Sequence, residues 1–157
     1  MNKSKSKEDL LIEYSESNNI DGVADLLLKH PNININHAKS NGWTALIFAS
    51  CNGKTEYVEL LLKHPNINVN HADEDGYTAL IKASRDDHIK CVELLLKHPN
   101  INVNYADKIE GTTALHVTPL YIQTNPQNKV IIDLLLNHPT INPLQQDIYG
   151  TCYFDLI

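Results

Sequence analysis

Apolar and small residues fall at helical spacing in a segment that begins after Thr44. Leu46, Ala49 and Ser50 lie on one face of the predicted helix. The Thr44 hydroxyl can accept a hydrogen bond from a free backbone N–H of the first turn, so we expect Thr44 to be the N-cap. Gly53 follows this helix, and glycine readily adopts the positive φ of a tight turn. The segment therefore predicts a short helix that leads into a turn.

A second apolar stripe predicts another helix, from about Glu56 to Lys63. Val58, Leu61 and Leu62 form its buried side. Pro65 cannot continue a helix and disfavours helical geometry at the residue before it, so we expect the helix to end there. The two segments predict a helix–turn–helix unit, which buries too little apolar surface alone and needs a neighbouring copy.

Two sequence markers recur in step and show that this unit is repeated. The sequence Lys-His-Pro-Asn-Ile-Asn occupies 29–34, 63–68 and 97–102, with a worn copy at 137–142. The sequence Gly-x-Thr-Ala-Leu occupies 42–46, 76–80 and 111–115, with a fragment at 150–152. The predicted units are a capping repeat at 1–36, repeats at 37–70 and 71–104, an irregular repeat at 105–144 and a half repeat at 145–157.

The first copy is matched to the second at the 34-residue spacing of their histidines. The match places Ala24, Leu27 and Leu28 on the buried side of its second helix and Asn19 in the turn. It places Glu13 and Glu16 on a polar outer face. The last two take the place of Ile47 and Ser50. A terminal repeat needs such a polar face because no further repeat covers it.

The order Gly-x-Thr-x-Leu, the small residues in the first helix, the Leu-Leu pair and the Val-Asn before the turn resemble the ankyrin repeat. The resemblance extends from about Lys7 to Ile157. It implies an all-α solenoid of stacked helix–turn–helix repeats with β-turn tips. It also implies non-enzymatic protein binding on a concave surface of tips and first helices. The usual Thr-Pro-Leu-His is altered here, and only His116 keeps the histidine.

The residues that the resemblance places on this concave surface differ between copies, whereas the core positions repeat almost unchanged. We call this set the tip face and expect it to bind the partner: Ser40, Asn41, Trp43, Asn52, Glu74, Asp75, Tyr77, Arg85, Asp86, Lys108, Glu110 and Thr112. Trp43 and Tyr77 occupy equivalent tips. Each ring either anchors an interface, as aromatic residues often do, or lies flat against the neighbouring turn.

Charge and insertions add two further expectations. Glu74, Asp75, Asp86, Asp87 and Glu110 make the centre of the tip face acidic, which favours a partner with a basic surface. Between His116 and Val130 the fourth copy carries about five extra residues, and Pro119 should end or kink its first helix early. The segment with Leu120, Tyr121 and Ile122 is either a tolerated surface insertion or a partner-specific protrusion.

Composition narrows the class of protein. The 157 residues carry a formal net charge of −6, which gives no electrostatic footprint for nucleic acid. No apolar run reaches the roughly 20 residues of a membrane-spanning helix, and the polar segment 1–9 predicts no secretory signal. Cys51, Cys91 and Cys152 show no paired spacing, so we expect reduced thiols in an intracellular, cytoplasmic protein.

Candidate chemistry is sparse. Four histidines recur at one place in each copy: His30, His64, His98 and His138. Packed helices are roughly 10 Å apart, too far for these rings to share one zinc ion, so we expect them to bond the last carbonyls of each helix. The asparagines Asn36, Asn70 and Asn104 should tie neighbouring turns together. Cys51 has no sequence neighbour that would activate its thiol, and the motifs of the common enzyme classes are absent.

These features predict a non-enzymatic protein–protein interaction module that presents the tip face on a rigid scaffold. The alternative is a structural spacer, or a self-assembling segment of a longer array that associates through its unfinished C-terminal face. We expect a monomer with no cofactor and no nucleic-acid or membrane partner. The half repeat at 145–157 is either a natural cap, which we favour, or the beginning of further repeats.

Overall fold

The computed structural model describes residues 5–118 and 126–156. Eight α-helices run in order: α1 Lys7–Glu16, α2 Ile20–Lys29, α3 Ala45–Cys51, α4 Thr55–Leu62, α5 Ala79–Arg85, α6 Ile89–Leu96, α7 Ala114–Val117 and α8 Pro126–Leu136. A 3₁₀ helix follows at Tyr153–Leu156. The described residues contain isolated β-bridges at the tips but no β-strand, and the predicted all-α solenoid is confirmed.

The first helices begin where the threonines cap them. Thr44 Oγ1 accepts a hydrogen bond from Ile47 N at 3.2 Å, and Thr78 Oγ1 accepts one from Ile81 N at 3.3 Å. Gly53 has a φ of 64° in the turn to the second helix. The predicted N-cap and turn are therefore confirmed.

The helices form two rows. The first helices α1, α3, α5 and α7 pack on one another in series, and the second helices α2, α4, α6 and α8 do the same. The predicted core residues Leu46, Ala49, Val58 and Leu61 are buried between them. Each closely packed pair among the described helices lies within one repeat or between neighbours, which is the contact pattern of a linear stack.

In the first repeat the predicted register is wrong by one residue. Val23 and Leu26, rather than Ala24 and Leu28, are buried on α2, and Leu28 is 83% exposed. The cause is one extra residue near the end of α2, which continues to Lys29, whereas α4 ends at the leucine before Lys63. The spacing of 34 residues therefore holds for the histidines but becomes 35 for everything before this extra residue.

The same shift corrects two further assignments. The residue equivalent to Gly53 is Asn18, with a φ of 60°, whereas Asn19 is the N-cap of α2. The equivalents of Ile47 and Ser50 are the buried Ile12 and Ser15. The glutamates Glu13 and Glu16 instead match Phe48 and Cys51, so they do not form the outer end of the stack that the sequence predicted.

Asparagine side chains link each repeat to the next. Asn70 Nδ2 donates to Asn100 O at 2.7 Å, and Asn70 Oδ1 accepts from Asn102 N at 2.8 Å. Asn36 and Asn104 make the same two bonds to their following repeats. Both polar groups of each amide are used, so the predicted tie between turns is confirmed.

The tips are in close backbone contact. Asn41 O accepts from Glu74 N at 3.2 Å, and Asp75 O accepts from Lys108 N at 2.9 Å. Gly76 has a φ of 91°, and a Cβ at this position would lie 2.5 Å from Lys108 N. The tip therefore needs glycine both for its backbone conformation and for the approach of the next tip.

The fourth repeat departs from the others in its first helix and also at its tip, where one extra residue lies between Ala106 and Gly111. The α7 helix ends at Val117 after a single turn, as predicted, and Thr118 is extended. Pro119 and the residues Leu120, Tyr121 and Ile122 lie outside the described residues. The extra residue of the tip is accommodated by Asp107, whose Oδ1 accepts from both Ile109 N and Glu110 N at 2.8 Å.

Candidate functional site

The predicted tip-face residues lie at the tips and on the exposed sides of α3 and α5. Eight of them are exposed: Ser40, Asn41, Asn52, Glu74, Asp75, Arg85, Lys108 and Glu110. Four are half-buried: Trp43, Tyr77, Asp86 and Thr112. Each of the half-buried residues contacts neighbouring side chains, and these contacts organise the surface.

Lys82 lies against both tip aromatic rings. Its Nζ is 4.3 Å from the centroid of the Tyr77 ring and 5.1 Å from that of the Trp43 ring. The two rings come from successive repeats, because Trp43 precedes α3 and Tyr77 precedes α5. A desolvated ammonium near two aromatic faces is attracted by both, so Lys82 links the aromatic tips of two repeats.

A buried carboxylate completes this arrangement. Asp73 Oδ2 lies 3.1 Å from Lys82 Nζ, and the two side chains are only 3% and 7% exposed. Asp73 Oδ1 accepts a hydrogen bond from Tyr77 N at 2.7 Å. The carboxylate therefore neutralises the lysine and holds the backbone that carries the Tyr77 ring.

The Trp43 ring also packs edge-on against Phe48, with ring centroids 5.9 Å apart. Both aromatic tips are partly accessible, since Trp43 and Tyr77 are each half-buried. The sequence left two interpretations, rings that anchor an interface or rings that lie flat against the neighbouring turn, and neither describes their surroundings completely. Their faces meet a charged side chain rather than lying only against a turn, and part of each ring remains open to a partner.

The exposed side of α5 carries a small ionic cluster. Arg85 Nε lies 3.2 Å from Asp86 Oδ1, and the Arg85 guanidinium is 5.7 Å from the centre of the Tyr77 ring. Cys51 Sγ donates to Asp86 Oδ2 at 3.4 Å. Burial, together with the Asp86 carboxylate, raises the pKa of the Cys51 thiol. The thiol therefore stays protonated, which is the opposite of what a nucleophile requires.

Thr112 differs from the other tip-face residues because its polar groups point inward. Its backbone N–H donates to Asp107 Oδ2 at 2.9 Å, and its hydroxyl donates to the same oxygen. Burial would raise the pKa of Asp107, but these bonds and those from Ile109 and Glu110 outweigh it, and the pKa lies below its ordinary value. Thr112 therefore stabilises the tip.

The recurring histidines are bonded to their own turns. His64 Nδ1 accepts from Asn66 N at 3.2 Å, and His98 Nδ1 accepts from Asn100 N at 3.3 Å. The expectation that the rings bond the last carbonyls of the helices is wrong for these residues, because the ring nitrogen turns toward the following backbone N–H. In the described part of the chain, no group of three or more His, Cys, Asp or Glu side chains is arranged to hold a metal ion.

Sequence reasoning missed Lys82, Asp73 and Phe48. A signal was available for the lysine, because it occupies the position of Phe48 in the preceding repeat and of Val117 in the following one. A charged residue at a position that is apolar in both neighbouring repeats needs a partner when it is buried. Asp73 was a candidate partner for the lysine, because it is an acidic residue at a position where the preceding repeat has Lys39.

Comparison with known proteins identifies the family that has this repeat architecture. None of the helices in the described ranges has the length and apolar character needed to cross a membrane. A search of curated proteins gave no match. The family model for ankyrin repeats matches in three copies over residues 11–107, which is more than half of the chain. The chain therefore belongs to the ankyrin repeat family, whose members are typically non-enzymatic and generally mediate protein–protein interaction.

Proposed function

We propose that this chain is a protein-binding module that holds its partner on the tip face, with Trp43 and Tyr77 as the central contacts. The observation that carries the proposal is the contact of both rings with Lys82. The buried Asp73 pairs with this lysine and holds it in place. Little conformational freedom is left to lose on binding, and side chains fixed in advance make effective anchors.

Charge suggests the class of partner. Glu74, Asp75 and Glu110 are exposed at successive tips. Of the basic groups nearby, Arg85 pairs with Asp86, and Lys108 Nζ donates to the backbone carbonyl of Glu74 at 3.2 Å rather than to a carboxylate. The tips therefore offer carboxylates to a partner, and a basic segment with apolar side chains for the rings fits this face best.

Selection from a library of short random peptides displayed on phage tests the proposal. We expect the immobilised chain to enrich peptides that combine Lys or Arg with aromatic or aliphatic residues. A Glu74→Gln, Glu110→Gln variant should bind them more weakly, with the greatest difference at low salt. The matched control is Glu56→Gln with Glu59→Gln, two exposed carboxylates on α4, which should bind as the wild type does.

The contribution of the rings needs a variant that leaves the Lys82 site intact. Arg85→Ala uncovers part of the Tyr77 ring and removes a cation that pairs with Asp86, so we expect it to tighten the binding of basic peptides with little change in the melting temperature. Trp43→Ala with Tyr77→Ala should abolish binding but also lower stability, since both rings contact Lys82. Enriched peptides that bind all of these variants with wild-type affinity would show that the partner surface lies elsewhere.

A further inference from the structure

Three successive tips each carry an apolar side chain that remains partly open to solvent. Trp43 and Tyr77 occupy equivalent positions in the second and third repeats, and both are half-buried. The fourth repeat has Thr112 at this position, and the Thr112 hydroxyl is turned inward, where it donates to Asp107. The fourth tip instead carries Ile109, which is 52% exposed. An apolar side chain is therefore available at each of these tips.

Ile109 is the extra residue of the fourth tip. The backbone N–H of Lys108 donates to the preceding tip, as that of Glu74 does. The carbonyl of Glu110 accepts from the following tip, as that of Asp75 does. Glu74 and Asp75 are adjacent in the sequence, whereas Ile109 stands between their equivalents in the fourth repeat. The insertion thus adds one apolar side chain and leaves the contacts between tips unchanged.

The backbone that carries Ile109 is fixed by the Asp107 carboxylate. Its Oδ1 accepts from the backbone N–H groups of Ile109 and Glu110, each at 2.8 Å, and its Oδ2 accepts from that of Thr112 at 2.9 Å. Asp107 is only 5% exposed, so these bonds are shielded from water. Little freedom of the tip backbone is left to lose on binding, and Ile109 is presented in a fixed position, as the two rings are.

Exposed carboxylates accompany these apolar side chains. Glu74 and Asp75 belong to the same tip as Tyr77, and both are exposed. Glu110, which is also exposed, directly follows Ile109. A partner that places apolar groups on the tips therefore meets negative charge beside them, and Lys or Arg between its own apolar residues complements this charge.

The spacing of the tips selects the conformation of the partner. The centroids of the Trp43 and Tyr77 rings are 5.1 and 4.3 Å from Lys82 Nζ, so they are no more than 9.4 Å from each other. Stacked helices lie roughly 8–10 Å apart, which sets a similar interval for the next tip. In a polyproline II helix every third side chain returns to the same side after about 9 Å. In a β-strand, side chains three residues apart point to opposite sides.

We propose that the tip face, extended by Ile109, binds a polyproline II segment with an apolar residue at every third position and Lys or Arg between them. Apolar residues at i, i+3 and i+6 of the segment meet the side chains of Trp43, Tyr77 and Ile109 in turn. Its basic residues meet the exposed carboxylates of the tips. This mode of binding rests on the proposed function and adds to it the conformation of the partner and a third apolar contact.

Two synthetic peptides of the same composition test the conformation. The first has three consecutive Leu-Pro-Lys units, so its leucines fall at every third position and its prolines favour polyproline II. The second, Leu-Lys-Leu-Lys-Leu-Lys-Pro-Pro-Pro, has its leucines at every second position. Both are blocked at their termini and carry a fluorescent label. In anisotropy titrations we expect the wild type to bind the first peptide at least about 10-fold more tightly than the second.

The variant Ile109→Ser tests the third contact. The substitution removes an exposed apolar side chain and leaves the backbone N–H that Asp107 holds. We expect it to weaken binding of the Leu-Pro-Lys peptide by about 3- to 10-fold. The matched control is Leu28→Ser, which removes an 83% exposed leucine on α2 and should bind as the wild type does. Circular dichroism checks that both variants fold.

The outcomes distinguish this mode of binding from the proposed function. Equal or tighter binding of the second peptide, or an Ile109→Ser variant that binds as the wild type does, overturns the polyproline II mode. Failure of both peptides also overturns it, but the proposed function stands if the displayed library still yields peptides that the Glu74→Gln, Glu110→Gln variant binds more weakly. A library that yields no such peptides counts against both.

Discussion

The buried ion pair between Asp73 and Lys82 should be a large local contribution to stability. We predict that Asp73→Asn lowers the free energy of unfolding by about 3–5 kcal/mol. The substitution keeps the shape of the side chain and an oxygen that can accept the Tyr77 N–H, so it removes mainly the charge opposite Lys82. The lysine is left between two rings with no carboxylate, in a site that excludes water.

The surroundings of the pair set this magnitude. At 3.1 Å, an effective dielectric constant of about 20 gives an attraction of about 5 kcal/mol, part of which offsets the cost of removing both charges from water. The exposed pair Lys63–Glu59 has nearly the same separation, 2.9 Å. Solvent screening reduces an exposed pair of this spacing to about 0.3–0.5 kcal/mol. Burial, rather than distance, therefore distinguishes the two pairs.

A double-mutant cycle measures the difference. Urea unfolding followed by circular dichroism is compared for the wild type, Asp73→Asn, Lys82→Met and the double variant. We expect a coupling energy of about 2 kcal/mol or more, because the double variant leaves no uncompensated charge. The control cycle of Glu59→Gln with Lys63→Met should give about 0.5 kcal/mol or less. Equal coupling in the two cycles would refute the reasoning and assign the lysine to its contacts with the rings.

Three further predictions concern the tips and the links between repeats. Gly76→Ala should cost several kcal/mol, because its Cβ would lie 2.5 Å from Lys108 N, whereas Gly150→Ala meets nothing and should cost only the strain of a positive φ, about 1–2 kcal/mol; thermal unfolding compares the two. Asn70→Ala removes both bonds to the next repeat and should lower the free energy of unfolding by about 1–3 kcal/mol, as measured in urea. The lowered pKa of Asp107 stabilises the fold above the unfolded-state value of about 4, and this contribution is lost as the pH falls through the folded-state value. Asp107→Asn should therefore be less stable than the wild type at neutral pH, and unfolding measured at a series of pH values should show the difference shrinking in acid.

Local chemistry explains why much of the repeat could be predicted from the sequence. A threonine before an apolar stripe caps a helix through its own hydroxyl, and Thr44 does so. An asparagine beside a turn has a donor and an acceptor with few alternatives, and Asn70 uses both on the next repeat. The cap joins residues three positions apart, whereas the asparagine bonds join residues 30 and 32 positions apart and could be predicted because the same turn recurs in the next repeat.

The register of the first repeat could not be obtained in the same way. Aligning the first two repeats on Lys-His-Pro assigns the residues after this marker correctly. The residues before the marker are displaced by one position. The extra residue lies inside α2, where the run Leu26-Leu27-Leu28 offers three equivalent leucines to a helical pattern. The stack decides among them, because Val23 and Leu26 are buried in it and Leu28 is left in solvent. The information that selects the register thus lies in the neighbouring repeat.

The Lys82 site shows the same limit at the level of function. Its parts come from the tip before α5, from α5 itself and from the tip of the preceding repeat, so that Trp43 and Lys82 meet although 39 positions separate them. Along the sequence, Lys82 only interrupts an apolar pattern, and Trp43 is only a variable tip residue. Stacking brings the ring of one repeat over the lysine of the next, while Asp73 supplies the charge that allows the lysine to be buried there. In a repeat protein, a position that varies between copies is free of constraint only with respect to its own repeat. Across the boundary between two repeats, Trp43 and Lys82 are matched to each other.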